Sequence, residues 1–235
     1  MPKLIKAERV PITMSQVMKN SLDNTWSPEV VENWRNNYWD TGDGSVRYTN
    51  GSGIMLHDAD YLRELNPKTR LTPNRAVALG NRTFTPGKNG LYLPQDRIAQ
   101  IHGVYLTADQ AKDSPEWQFL ARESENPGLL GEFVDTRFRI GKERHGYTTM
   151  MALIFGSPEA ETSGRSWSLD DVNNRSNAYG NVSVDHSSGR LVGVAPEALG
   201  AQKNILHATL EDRIPEIRVG QPFKFQGKMY RMEQE

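Results

Sequence analysis

The chain has 235 residues, 28 Lys plus Arg against 29 Asp plus Glu, and no cysteine. That length can bury a core without covalent staples, and the missing thiols exclude disulfides, thiolate zinc sites, iron–sulfur clusters and a cysteine nucleophile. A formal charge of −1 gives no basic excess for gripping phosphate backbones, so nucleic acid is not expected as the main partner. Hydrophobic residues make up 37% and mean hydropathy is −0.65, while 20 Gly and 13 Pro point to a loop-rich chain with a modest core. Apolar runs fall far short of the roughly 20 residues of a membrane helix. The start, MPKLIKAERVPITMSQ, lacks the apolar centre of a signal peptide. A soluble chain is expected, with no membrane partner.

In chain order, residues 1–11 read as extended, with Pro2 and Pro11 resisting helix. Thr13 or Ser15 caps a short helix through Leu22. Ser27, Pro28 and Glu29 then supply cap, first-turn proline and acid for a helix with Val30, Trp34 and Tyr38 on one stripe. The Asp40–Gly44 segment stops it. SVRYT and IML flank Asn50-Gly51-Ser52-Gly53, a strong hairpin signal. Asp58 or Asp60 caps a short helix through Leu65, and RAVALG suggests a helical turn. RTFT and LYLP flank a second turn at 86–90. Residues 98–107 read as a strand, and Ser114-Pro115-Glu116 opens a helix carrying Trp117, Leu120 and Ala121.

The stretch Gly131–Gly156 reads as the central hairpin. Val134, Thr136, Phe138 and Ile140 alternate with Asp135, Arg137 and Arg139, the period of a half-buried strand. Met150–Phe155 is apolar on both faces, as a doubly covered strand would be. Residues 156–180 form the most polar stretch, a long excursion of the sort that is functional or disordered. A third hairpin is read around 185–189, a helical turn at Pro196, and a last hairpin, PFKF-QGK-MYRM, near the end. The expected fold is α+β and β-rich: antiparallel hairpins forming a sandwich or barrel-like core, with short helices mainly in the N-terminal half. The expected organisation is a helical and extended segment over 1–45, then a β-rich domain over 46–235 with its excursion at 156–180.

Several clusters invite chemical readings. His57, Asp58 and Asp60 are metal-ligand types, but no partner set accompanies them, and the aspartates read as helix caps. Asp185-His186-Ser187 sets three triad residue types side by side, yet adjacent residues point apart, so a polar hairpin tip is the reading. Glycines 42, 44, 51 and 53 fit no phosphate-loop pattern and read as turns. Five tryptophans raise the possibility of sugar stacking; Trp34 and Trp117 sit on core-like helix faces, while Trp26, Trp39 and Trp167 lie in or beside polar loops. No metal or cofactor is expected.

Two stretches resemble known families. GVYLTADQAKDSPEW, residues 103–117, is similar to the middle segment of ADP-ribosyltransferase toxins and related enzymes. That resemblance implies an NAD-using enzyme, with Arg82 as the first residue, Tyr105 or Thr107 in the middle and Glu132 as the acid. RIPEIRVGQPFKFQGKMYRMEQE resembles a hairpin of the small β-barrel proteins that join head to tail, or complete the tail, in tailed bacteriophages. It implies a ring-forming virion component, assembled in the host cytoplasm, that contacts copies of itself and neighbouring structural proteins. The leading expectation is this assembly protein. Its expected interface residues are Trp26 and Trp39, Arg137, Arg139 and Arg144, and Trp167, Leu169 and Tyr179 in the excursion, since aromatics and arginine concentrate at interface centres.

Overall fold

Two long antiparallel strands, β2 (Trp39–Arg47) and β7 (Thr162–Leu169), form the middle of the sheet. In the computed structural model, residues 9–23, 25–184, 190–194, 222–225 and 228–231 are described. The chain divides into two units, Met1–Val194 and Ala195–Glu235. In the first unit β3 (Gly53–Leu56), β5 (Gly90–Leu93), β6 (Leu153–Phe155) and β8 (Ala178–Gly180) complete the sheet in the order β5-β3-β2-β7-β8-β6. Strand β4 (Val77–Gly80) pairs with β7, and β9 (Arg190–Leu191) runs parallel to β2. Strand β1 (Val10–Pro11) pairs with β10 (Gly193–Val194). The expected division at 45/46 falls inside β2. In the second unit β11 (Pro222–Phe225) and β12 (Lys228–Arg231) form an antiparallel hairpin, as the sequence predicts.

All seven described helices precede residue 146: α1 (Met14–Leu22), α2 (Pro28–Arg35), α3 (Asp60–Arg63), α4 (Gln95–Ile101), α5 (Ala108–Asp113), α6 (Pro115–Ala121) and α7 (Leu129–His145). The fold is mixed α+β. None of the described helices is long and apolar enough to cross a membrane. Thr13 caps α1 in a capping box with Gln16, which places Val17 and Met18 in the main core beside Trp117, Leu120, Phe133 and Met150. Ser114 caps α6 as expected, accepting from the Trp117 N–H.

The central hairpin is corrected. Its first half is the 17-residue helix α7, bracketed by left-handed Gly128 and Gly146. Alternation at 134, 136, 138 and 140 suits a strand, but the buried set is Leu130, Phe133, Val134, Arg137, Ile140 and Gly141, a spacing of three and four. Glu132 in the first turn and Lys142, Arg144 and His145 in the last complement the helix dipole. The second half survives in part, as β6. Residues 98–107 are likewise not a strand; α4 runs into a loop, and Leu106 makes one bridge to Met150.

The polar excursion is also corrected: residues 162–169 are β7, buried along its whole length. Small polar residues belong there because bulky side chains cover them. A methyl added at Gly164 would lie 2.7 Å from the Tyr61 ring and 2.8 Å from Leu79. Hydroxyls in the strand pair find partners, Ser168 donating to Asp40 and Thr41 to the Trp167 carbonyl, each at 2.7 Å. RAVALG holds β4 rather than a helical turn, because Val77–Gly80 pairs with β7. RTFT forms no strand; β5 pairs with β3 instead. The third hairpin is not formed, since β9 and β10 pair with β2 and β1. Asp185-His186-Ser187, Pro196 and residues 213–220 lie outside the described residues.

Glycines 42, 44 and 53 lie in strands, and only Gly51 takes a turn with φ +82°. Asp58 and Asp60 do not cap α3, whose cap residue is Ala59. Asp58 instead pairs with Arg63 at 3.2 Å and with Arg122 at 2.7 Å. Arg122 also meets the fully buried Asp43, which accepts from the backbone N–H of Met14 and Asp58. The His57 ring stacks on Phe119 at 3.9 Å and donates from Nε2 to its carbonyl. Burial pushes the His57 imidazole below its ordinary pKa, against the opposing pull of Asp43. These contacts lock the 57–60 loop onto the end of α6.

Candidate recognition surface

Three loops meet where α7 ends, where β7 passes to β8, and where α4 passes to α5. Gly146 takes φ +70°, which stops α7 and turns the chain. His145 stacks on Tyr147 at 5.0 Å, and its Nε2 lies 3.0 Å from Asn173 Oδ1. The Tyr147 hydroxyl donates to the Asn173 carbonyl at 2.9 Å. The 170–177 loop is held by side-chain and backbone bonds: Asn174 N–H donates to Asp171 Oδ1, Ser176 N–H to the Asp171 carbonyl, and Val172 N–H to the Arg35 carbonyl. Arg175 and Ser176 are both left-handed, at φ +63° and +51°. Non-glycine residues rarely hold that conformation unless their surroundings impose it.

The strained turn aims Arg175 at two rings. Its guanidinium carbon lies 4.1 Å from the centroid of Tyr147 and 4.8 Å from that of Tyr105, within cation–π range of both. Arg175 Nη1 also donates to the Thr149 carbonyl at 2.9 Å, which fixes the group. Tyr105 is 45% exposed, as is Val104 beside it. Farther along, Tyr179 stands 6.2 Å from Tyr38 and receives a 3.4 Å contact from the Asn177 amide. The result is a surface of tyrosines, amides and one fixed cation. It has stacking faces and hydrogen-bonding groups, but no activated nucleophile. Among the described residues no group of three or more His, Asp or Glu gathers to hold a metal.

The expected site residues scatter. Trp39, Trp167, Leu169 and Arg137 are buried within the chain and cannot meet a partner in this fold. Trp39 stacks on Trp34 at 4.2 Å, and Trp167 packs edge-on to Phe155. Arg137 donates to the carbonyls of Arg35 and Trp34, closing the end of α2. Arg139, on the same helix, pairs with Glu143, and Arg144, two turns on from Arg137, joins Glu32 and Asn36 at the same end of α2. Trp26 is 46% exposed between α1 and α2. Only Tyr179 of the expected set belongs to this surface. Of the residues implied by the transferase resemblance, Arg82 pairs with Glu64 and stacks over Phe84, Tyr105 faces Arg175, and Glu132 sits in the first turn of α7. The structure does not bring the three together. The middle residue Thr107 caps α5.

Sequence reasoning missed His145, Tyr147, Asn173 and Arg175. The Asp171-x-x-Asn174 spacing was a usable signal, since an aspartate that accepts from the N–H three residues on nucleates a turn. A nearby 310 Å³ cavity is lined by Arg97, Ser114 and Glu116. Its one arginine is already engaged: Arg97 grips the buried Glu116 through two bonds of 2.7 and 2.9 Å, Ser114 donates to the same carboxylate, and Asp113 also lines the wall.

No family model matches this chain, and no curated protein does. Among solved structures it is similar to one described as showing accommodation of massive sequence variation in Nanoarchaeota by the C-type lectin fold, with a TM-score of 0.56 over 81% of this chain and 88% of that one. The fold is of the C-type lectin kind. Sequence identity is 14%, so the likeness is one of backbone. On this scaffold the loops above are held by backbone bonds together with the side chains of Tyr147, Asp171, Arg175 and Asn177. Asn173 and Asn174 stay exposed at the tip.

Proposed function

We propose that this chain is a recognition protein, acting through contacts with other proteins and making or breaking no bond. The observation that carries the reading is the Tyr105–Arg175–Tyr147 arrangement beside Asn173, Asn174 and Tyr179. Tyrosine gives large contact area at low entropic cost, asparagine adapts its hydrogen bonds, and a fixed arginine is a frequent hot spot. At the tip, Asn173 and Asn174 join the loop framework through their backbone carbonyl and N–H groups, so their side chains can change without unfolding the loop. The Nanoarchaeota neighbour, in which the same fold accommodates massive sequence variation, fits that division of labour. The setting we infer is a virion component, as the C-terminal segment's resemblance suggests, with copies of itself and neighbouring structural proteins as partners. The barrel-like core expected from sequence belongs to this proposal, as the rigid support for the loops. The NAD-using alternative would require Arg82, Tyr105 and Glu132 to converge, and they lie on separate elements.

The test selects binders from a random-peptide display library on the immobilised chain. Enriched peptides are then re-measured against Tyr105→Ala with Tyr147→Ala. Loss of at least about tenfold in affinity is expected, as for a pair of aromatic hot spots. Enriched peptides that bind the variant equally well would reject this surface.

A further inference from the structure

A second cavity, of 300 Å³, lies elsewhere in the unit, between the end of β2, helix α4 and the 156–158 segment. Its lining includes Arg47, Gln95, Ile98, Ala99, His102 and Phe155. Arg47 is only 6% exposed, and its Nε and Nη1 are buried without an acceptor. Among the described residues its side chain makes no hydrogen bond or ion pair. Gly53 lies opposite Arg47 in the ladder, and a methyl added there would press on the Val46 carbonyl at 2.7 Å and on Ile98 Cδ1 at 3.3 Å. Buried guanidinium N–H groups almost always find acceptors in native proteins, and leaving them bare is costly. The donor side is extended by His102. Its Nδ1 accepts the Phe155 N–H at 3.1 Å, so the ring proton sits on Nε2 and that nitrogen donates. Gln95 adds an amide at the cavity wall. The walls thus offer donors, with no carboxylate among them, together with the apolar surfaces of Ile98, Ala99, Phe155 and Pro158.

We infer that this cavity binds a small carboxylate with a short apolar body, whose oxygens meet Arg47 and whose hydrocarbon lies against Ile98 and Phe155. Nη2, the guanidinium nitrogen not sealed from solvent, can give a carboxylate a charge-assisted bond, and the buried positive charge behind it favours an anion. The volume is at the small end of the range for ligand pockets, which suits one ring or a short branched chain. Two sources share this chemistry, a free organic acid and the C-terminal residue of a peptide. Burial also holds the Arg47 pKa below its ordinary value, which an incoming anion would offset. This inference does not rest on the recognition surface, because none of its residues belongs to that surface.

Calorimetric titration of the full chain with phenylacetate, phenylacetamide, inorganic phosphate and a short peptide ending in phenylalanine tests it. Phenylacetate is expected to bind and to raise the melting temperature, and the amide to bind at least about tenfold more weakly. Binding of the peptide as well would assign the wider source; binding of phenylacetate alone would assign the free acid. Arg47→Met should abolish binding while leaving the unliganded chain as stable as the parent or more so, which a purely structural arginine would not do. Ala99→Phe, which fills the cavity from the exposed side of α4 and leaves Arg47 in place, should also abolish it. Equal binding of acid and amide, preference for phosphate, no binding of any carboxylate, or binding retained in Arg47→Met would overturn the assignment.

Discussion

Arg47 and Arg165 sit on paired strands of one sheet and are equally buried, each 6% exposed, yet their surroundings differ in kind. Arg165 donates to the Asn74 carbonyl at 2.9 Å and to the Glu159 carboxylate at 3.1 Å, with a longer contact to the Val182 carbonyl. Glu159 is itself nearly sealed from solvent. Arg47 lines a cavity, and its Nε and Nη1 have no acceptor among the described residues. Burial alone therefore does not separate a structural cation from a binding one. Accounting for the donors does, because a charge without acceptors is a cost that the fold carries for some other reason.

The contrast can be broken most forcefully at Glu159. Glu159→Ala leaves the Arg165 charge buried against carbonyls alone, and is expected to cost about 3 to 5 kcal/mol by urea unfolding. Adding Arg165→Met to it should restore much of the loss. Arg137 is an intermediate case, with two carbonyls but, among the described residues, no carboxylate within bonding distance. Arg137→Met uncaps the end of α2 and should cost about 2 kcal/mol. Arg47→Met should go the other way, raising stability by up to about 1 kcal/mol, because it removes a desolvated charge and breaks no bond among the described residues. A loss as large as that at Glu159 would mean that Arg47 is structural, and the distinction between the two strands would fail.

How much of this was legible in the sequence depended on whether local chemistry or tertiary cover decided the matter. The caps at Thr13 and Ser114, the hairpin turn at Asn50-Gly51 and the C-terminal hairpin follow from residues within a few positions of one another, and they were readable. Helix α7 was misread because Val134, Phe138 and Ile140 satisfy both periods; what favours the helix is Leu130 and Phe133, which lie outside the alternating set. Strand β7 was invisible for a different reason. Its polarity, TSGRSWSL, is that of a loop, and only Tyr61 and Leu79 packing on Gly164 explain why it needs to be small. The recognition surface was legible through Tyr105 and Tyr179 as isolated residues. Their meeting with Arg175 and Tyr147 depends on a left-handed turn that no propensity at 175 and 176 announces.

The smallest effect concerns the acidic counterpart of Arg47. Asp170, buried at the root of the 170–177 loop, has its carboxyl pushed up to about 6, mainly by burial and against the pull of the Asp171 N–H it accepts. A carboxyl whose folded pKa lies above its unfolded value of 3.8 binds its proton more tightly when folded. Its contribution is thus fully present below 3.8 and is lost as pH rises through about 6. Asp170→Asn keeps an acceptor for the Asp171 N–H and removes the charge. The variant should match the parent near pH 4 and exceed it by about 1 kcal/mol at pH 7, the gap opening between the two pKa values. That is less than the roughly 3 kcal/mol a rise from 3.8 to about 6 would carry, because nearby solvent screens the charge. His57 titrates with the opposite sign: the depressed pKa costs stability as pH falls below about 6.5. Only the difference between parent and variant therefore isolates Asp170. Urea midpoints for both proteins across pH 4 to 7 check it. A variant weaker than its parent at pH 7 would show that the charge is used in the loop, and that a buried ion without a counter-ion is no guide to a site in this molecule.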